Sequence, residues 1–144
     1  VVRAAGGTPP ADLVRVVAAG VRAGAFVSLS VADRLPTELA GALAAAGVDV
    51  DVEAPGVWSA RLADLAASEA LGLRVRVLGP REETAVSRWR EASRLTGGSP
   101  DVALYTGPVT TCPHTELLPF LHEQAVAVTS HRFGTPFNLA EGLL

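Results

Sequence analysis

Residues 1–30 read VVRAAGGTPPADLVRVVAAGVRAGAFVSLS, and this stretch decides the fold. The apolar run at 1–5 ends on Gly6-Gly7, which predicts a strand leaving into a tight turn. Thr8-Pro9-Pro10-Ala11-Asp12 then predicts a helix start. Thr8 is the expected cap, Pro9 suits the first helical position, and Asp12 favours the positive end of the helix. Leu13, Val16, Val17 and Val21 recur at helical spacing until Gly24 supplies a stop. AFVSLS at 25–30 is the next strand.

The same pattern repeats outward from this unit. Pro36-Thr37-Glu38 opens a second helix that runs to Gly47, and residues 48–52 alternate Val with Asp as a half-exposed edge strand. A third helix is expected over 57–71 with Trp58, Leu62 and Leu65 inward, then a strand at 74–78 (RVRVL). A fourth helix is expected from Pro80 to Leu95, with Glu82 and Glu83 in its first turn. Its Arg88, Arg90 and Arg94 read as a solvated face, and Trp89, like Trp58, as a packing residue. VALYT at 102–106 is the fifth strand. Strand–helix alternation with short connections predicts a parallel sheet with right-handed crossovers, a Rossmann-like three-layer α/β fold. The expected division is a body at 1–114 and a helix–strand tail at 115–144 belonging to the same domain.

Composition sets the bounds. The chain has 144 residues, enough for one core, and is 49% hydrophobic but only 5% aromatic, so that core is aliphatic. Net charge is −3 with scattered basic residues, which disfavours nucleic acid and anionic membranes as partners. No apolar run approaches the roughly 20 residues of a bilayer span. The single Cys112 fits a reducing compartment, so a cytoplasmic location is expected. The chain lacks Met and starts at Val1, and it reads as a segment excised from a longer protein.

Motifs for chemistry are thin. A dinucleotide fingerprint needs G-x-G-x-x-G at the first strand–helix junction. Here Gly6 and Gly7 stand alone, and Pro9 and Pro10 remove N–H donors that a phosphate would use. Gly6 and Gly7 therefore stay a weak cofactor-binding alternative to a plain turn. Cys112 lies two residues from His114 but lacks an oxyanion-hole signature, and a small loop cysteine is the better reading. His122-Glu123-Gln124-Ala125-Val126 opens like a zinc-protease helix, yet Val126 replaces the second histidine. The acidic row Asp49, Asp51, Glu53 reads as an edge guarded by charge.

The tail is different. Leu117, Leu118, Phe120 and Leu121 form an apolar stripe, residues 125–130 are β-capable with no helix after them, and His131, Arg132 and Phe133 have the composition of an interface anchor.

Two segments carry a resemblance. Arg74-Val75-Arg76-Val77-Leu78-Gly79 is one. The other is Ala103-Leu104-Tyr105 … Glu116-Leu117-Leu118-Pro119-Phe120-Leu121-His122-Glu123-Gln124-Ala125-Val126 … Ser130-His131-Arg132-Phe133-Gly134. Together they resemble the C-terminal end of the bifunctional proline utilization A flavoenzymes, whose chains end in a motif similar to L-R/H-E-Q-[AS]-[IV]-S-x-x-x-H-R-[FY]-G. Residues 1–71 match only in architecture, and residues 137–144 continue past the motif.

The resemblance implies a non-catalytic, aldehyde-dehydrogenase-like C-terminal domain without bound NAD. It would cover the cavity through which 1-pyrroline-5-carboxylate passes from the proline dehydrogenase to the aldehyde dehydrogenase site. Interface residues would be Leu121, His122, Glu123, Gln124, His131, Arg132 and Phe133, docking onto the aldehyde dehydrogenase module of the same polypeptide. FAD and NAD belong to the parent and bind elsewhere, and Cys112 is not in the family's Gly-Gln-x-Cys setting. Two other readings stay open: an NAD- or aldehyde-binding dehydrogenase fragment, and a self-association module making a homodimer through residues 125–130.

Overall fold

The structure is a computed structural model that describes residues 1–68 and 72–122. Five strands, β1 (Val2–Ala4), β2 (Ser28–Val31), β3 (Asp49–Val52), β4 (Leu73–Leu78) and β5 (Val102–Tyr105), form one all-parallel sheet in the order β3-β2-β1-β4-β5. The helices are α1 (Pro10–Arg22), α2 (Thr37–Ala45), α3 (Pro55–Ser68), α4 (Ala85–Leu95) and α5 (Pro113–Leu117), the last running into a 3-10 turn at Leu118–Phe120. The Rossmann-like α/β architecture read from the alternation is the one observed, with the Val/Asp strand β3 at an edge.

Two aliphatic layers hold it together. Leu13, Val16 and Val17 of α1 and Leu43 of α2 pack with Val2, Leu29 and Val31 on one face of the sheet. Trp58 and Leu62 of α3 and Ala92 of α4 pack with Val75, Val77 and Val102 on the other. Burying each of the Val and Leu side chains contributes about 1.5–3 kcal/mol. The chain then returns to the first face, where Phe120 packs against the α1 layer.

Local signals worked unevenly. Gly24 ends α1 as expected, at φ 69°, where the amide of Ala25 donates to the Gly20 carbonyl. Thr8 does not cap α1: its hydroxyl donates back to the Ala5 carbonyl at 2.6 Å, and Pro9 is the N-cap with Pro10 first in the helix. Two adjacent prolines shift the start by one residue, because the residue preceding a proline is steered out of the helical region. Helix α4 starts at Ala85, later than Pro80. Thr84 caps it by accepting from the Ser87 amide at 3.1 Å, so Glu82 and Glu83 precede the first turn.

Candidate functional site

In an open parallel sheet, ligands bind outside the carboxyl ends of the strands where the strand order reverses. Here that point lies between β1 and β4. The turn after β1 holds Gly6 and Gly7. Gly7 has φ 75°, and a Cβ there would stand 3.3 Å from Pro80 Cβ, so the loop after β4 already packs on this turn.

The nearby amides are largely committed. Thr8 N–H donates to Ala5 O at 3.1 Å, and Asp12 and Leu13 N–H donate to Pro9 O at 3.0 and 3.2 Å. Pro9 and Pro10 have no N–H, and Asp12 sets a carboxylate in the first turn, where it opposes an anion. Beside this turn a crevice of about 590 Å³ runs between Asp12 and Arg15 on α1 and the loops at Pro80 and Pro108.

Arg88 closes the inner side of that crevice. The sequence placed it on a solvated face; it is instead buried. Its Nε and Nη2 donate to the Thr106 carbonyl at 3.3 and 3.1 Å, and Nη1 donates to Glu83 O at 2.8 Å. The Glu83 carboxylate lies 3.8 Å from Nη1. Because α4 begins after residue 84, the 80–83 loop folds back and offers Arg88 carbonyls that a longer helix would have used internally. Trp89, expected in the core, is 50% exposed beside it.

Two more buried polar groups escaped the reading of the sequence. On the α3 face, Arg3 donates to Ser30 Oγ at 2.6 Å and to Glu53 O at 3.2 Å. Ser30 donates to Glu53 Oε2, and Arg61 pairs with the same carboxylate at 2.9 Å. Both guanidiniums sit 5.4 Å from the Trp58 ring centroid, within cation–π reach. Glu53 is therefore a core anchor more than an edge guard, and burial lowers the pKa of Arg3. Ser30 is 0% exposed, so this hydroxyl meets no substrate.

On the α1 face, Arg76 of β4 meets Glu116 of α5. Arg76 also donates to Gly107 O at 2.7 Å, and Glu116 Oε1 accepts from the Thr110 amide at 2.7 Å. Arg74 adds a bond to Tyr105 Oη at 3.0 Å and one to Leu118 O at 3.4 Å. One signal could have found these groups: Arg3, Arg74 and Arg76 stand in inner strands of a parallel sheet, where a charge needs a buried partner.

The expected Leu117–Leu121 stripe is not one buried face. Glu116 and Pro119 are the buried residues of this segment, while Leu118 and Leu121 are 51% and 42% exposed. The five-residue α5 gives way to a 3-10 turn, whose tighter period breaks the spacing. Cys112 is exposed at the N-cap of α5. The Thr115 hydroxyl, then the Thr115 and His114 amides, hold its thiol below the usual range. His114 contributes its backbone to this, not its imidazole.

Of the interface residues proposed from the sequence, Leu121 and His122 are exposed where the description ends. Glu123, Gln124, His131, Arg132 and Phe133, with the β-capable run at 125–130, lie outside the described residues. Among the described residues no three His, Cys, Asp or Glu side chains gather as a metal site, and no helix is long and apolar enough to cross a membrane. Comparison with protein-family models, curated proteins and solved structures finds no match.

Proposed function

We propose that this chain is a non-catalytic α/β domain of a longer proline-catabolising polypeptide, of the kind carried by proline utilization A flavoenzymes. In this reading it docks onto the aldehyde dehydrogenase module and acts as a lid over the cavity that 1-pyrroline-5-carboxylate traverses. FAD and NAD serve the parent from other modules. One observation carries the non-catalytic part: the turn at Gly6-Gly7, where a Rossmann-like fold would hold a pyrophosphate, is backed by Pro80, followed by two prolines and faced by Asp12. The buried charged groups support it too, because Arg3, Arg76 and Arg88 are spent on holding strands, loops and α5 together. The docking part rests on the resemblance of the two segments quoted above.

Calorimetric titration tests both parts. The 144-residue protein is titrated with NAD, and separately with a proline dehydrogenase–aldehyde dehydrogenase module that lacks this segment. Heat from the module and none from NAD is the expected result. Saturable NAD binding would overturn the reading and make the Gly6-Gly7 turn a cofactor site.

A further inference from the structure

On the α3–α4 side, solvent meets Asp64, Arg90, Glu91 and Arg94 beside the exposed Val57, Val86 and Trp89. On the other side, α2 exposes Thr37 and Glu38 in its first turn and Gly41, Ala42, Ala44 and Ala45 after it. The outward stripe of α1 is Val14, Ala18 and Val21, at the i, i+4, i+7 spacing of one helix face, with the two valines 45% and 41% exposed. A surface helix ordinarily turns charged and polar residues to solvent at these positions.

Next to the stripe, a cleft of about 450 Å³ opens between α1 and α5, with Ala19, Pro113 and Leu117 in its lining. Arg15 and Arg22 line it from α1, seven residues apart, which is about 10.5 Å along the helix axis. Arg15 keeps 42% of its side chain exposed while pairing with Asp12 at 3.2 Å, and Arg22 has no ion pair among the described residues. Glu116, which also lines the cleft, is committed to Arg76.

We propose that this cleft receives an amphipathic helix from another polypeptide, apolar face down, with acidic side chains seven residues apart that meet Arg15 and Arg22. A helix fits better than a strand because α1 and α5 border the cleft, and a helix has no free backbone edge for strand addition. Ala18 and Ala19 let a second helix approach closely, and its own seven-residue repeat matches the spacing of the two guanidiniums. Acidic groups fit because Arg22 has no ion pair among the described residues and Arg15 is held only by Asp12, in a solvent-exposed pair that is worth little. The proposal goes beyond the docking role proposed above and stands without it, since it uses only described residues.

The probe is a fluorescein-labelled synthetic 18-residue helix with leucines on one face and flanking glutamates seven residues apart. A control peptide carries lysines in place of the glutamates. Anisotropy titration with the full 144-residue protein should show saturable binding of the acidic peptide and none of the lysine peptide. Ala18→Glu and Arg22→Glu, both at exposed positions, should each weaken binding roughly tenfold or more by like-charge repulsion. Thermal melts verify that both variants stay folded, and either one alone suffices for the test. Absence of saturation, equal binding of both peptides, or unchanged affinity in the folded variants would overturn the proposal. So would sedimentation showing a dimer that Ala18→Glu dissociates, because a second copy would then own the face.

Discussion

Arg76 and Glu116 meet at 3.3 Å from positions 40 residues apart, with 4% and 3% of their side chains exposed. This contact ties the segment after β5 to the inner strand β4. Burial lowers the Arg76 pKa and the Glu116 carboxylate opposes that shift, while the Tyr105 and Gly107 carbonyls accept from the same guanidinium.

Removing one partner should therefore cost more than removing both. Glu116→Ala leaves a buried guanidinium unpaired and should lower unfolding stability by about 3–5 kcal/mol, whereas Arg76→Met with Glu116→Leu should cost clearly less. Urea melts of Arg76→Met, of Glu116→Leu and of the double give the coupling. Additive losses would show that the pair is not the clamp.

Arg88 and Arg90 make a second contrast, two residues apart on one helix. Arg88→Ala strands the buried Thr106 carbonyl and the part-buried Glu83 carbonyl and should cost about 2–3 kcal/mol. Arg90→Ala, at an exposed position, should stay within about 0.5 kcal/mol. Equal effects in denaturant melts would return Arg88 to the solvated face.

What the sequence disclosed and what it hid divide on physical lines. Strand–helix alternation, glycine stops and the Val/Asp edge are local signals, and they located the five strands of the described residues. The roles of Arg88, Glu53 and Glu116 depend on partners 18 to 40 residues away, which no periodicity encodes. Trp89 misled because helical spacing beside aliphatic residues does not say which side of α4 meets α3. The candidate site was legible only in its weakness: Pro9 and Pro10 announce a poor phosphate turn, but Pro80 behind Gly7 needs the fold.

Cys112 gives a pH-dependent readout. Its thiol pKa is lowered mainly by the Thr115 hydroxyl, so the thiolate forms at lower pH than in an ordinary exposed cysteine. Iodoacetamide alkylation of the folded protein should reach half its maximal rate below the pH at which the urea-unfolded chain does. Thr115→Val should move that midpoint up. For stability the sign follows from the depressed folded pKa: the contribution is present at pH above the unfolded pKa and is lost as pH falls through the folded one. Coincident midpoints for folded and unfolded protein would sink the assignment.

Two glycine-to-alanine changes on the α1–α2 face should move stability in opposite directions. At Gly20 a Cβ would stand 2.6 Å from Val27 Cγ2 and 2.8 Å from Phe120 Cε1, so α1 and the 3-10 turn touch through the missing side chain. Gly20→Ala should cost about 1–3 kcal/mol by overpacking, and should loosen the seat of Phe120, the aromatic that precedes Leu121 and His122. At Gly41, inside α2, a Cβ would meet nothing within 4 Å, so Gly41→Ala should gain about 0.5–1 kcal/mol from helix propensity and a less mobile unfolded chain. Thermal melts decide the signs, and limited proteolysis after residue 117 reads the loosening directly. If Gly20→Ala were as stable and as resistant as the parent, Phe120 would not be the wedge that positions the segment leading to His122.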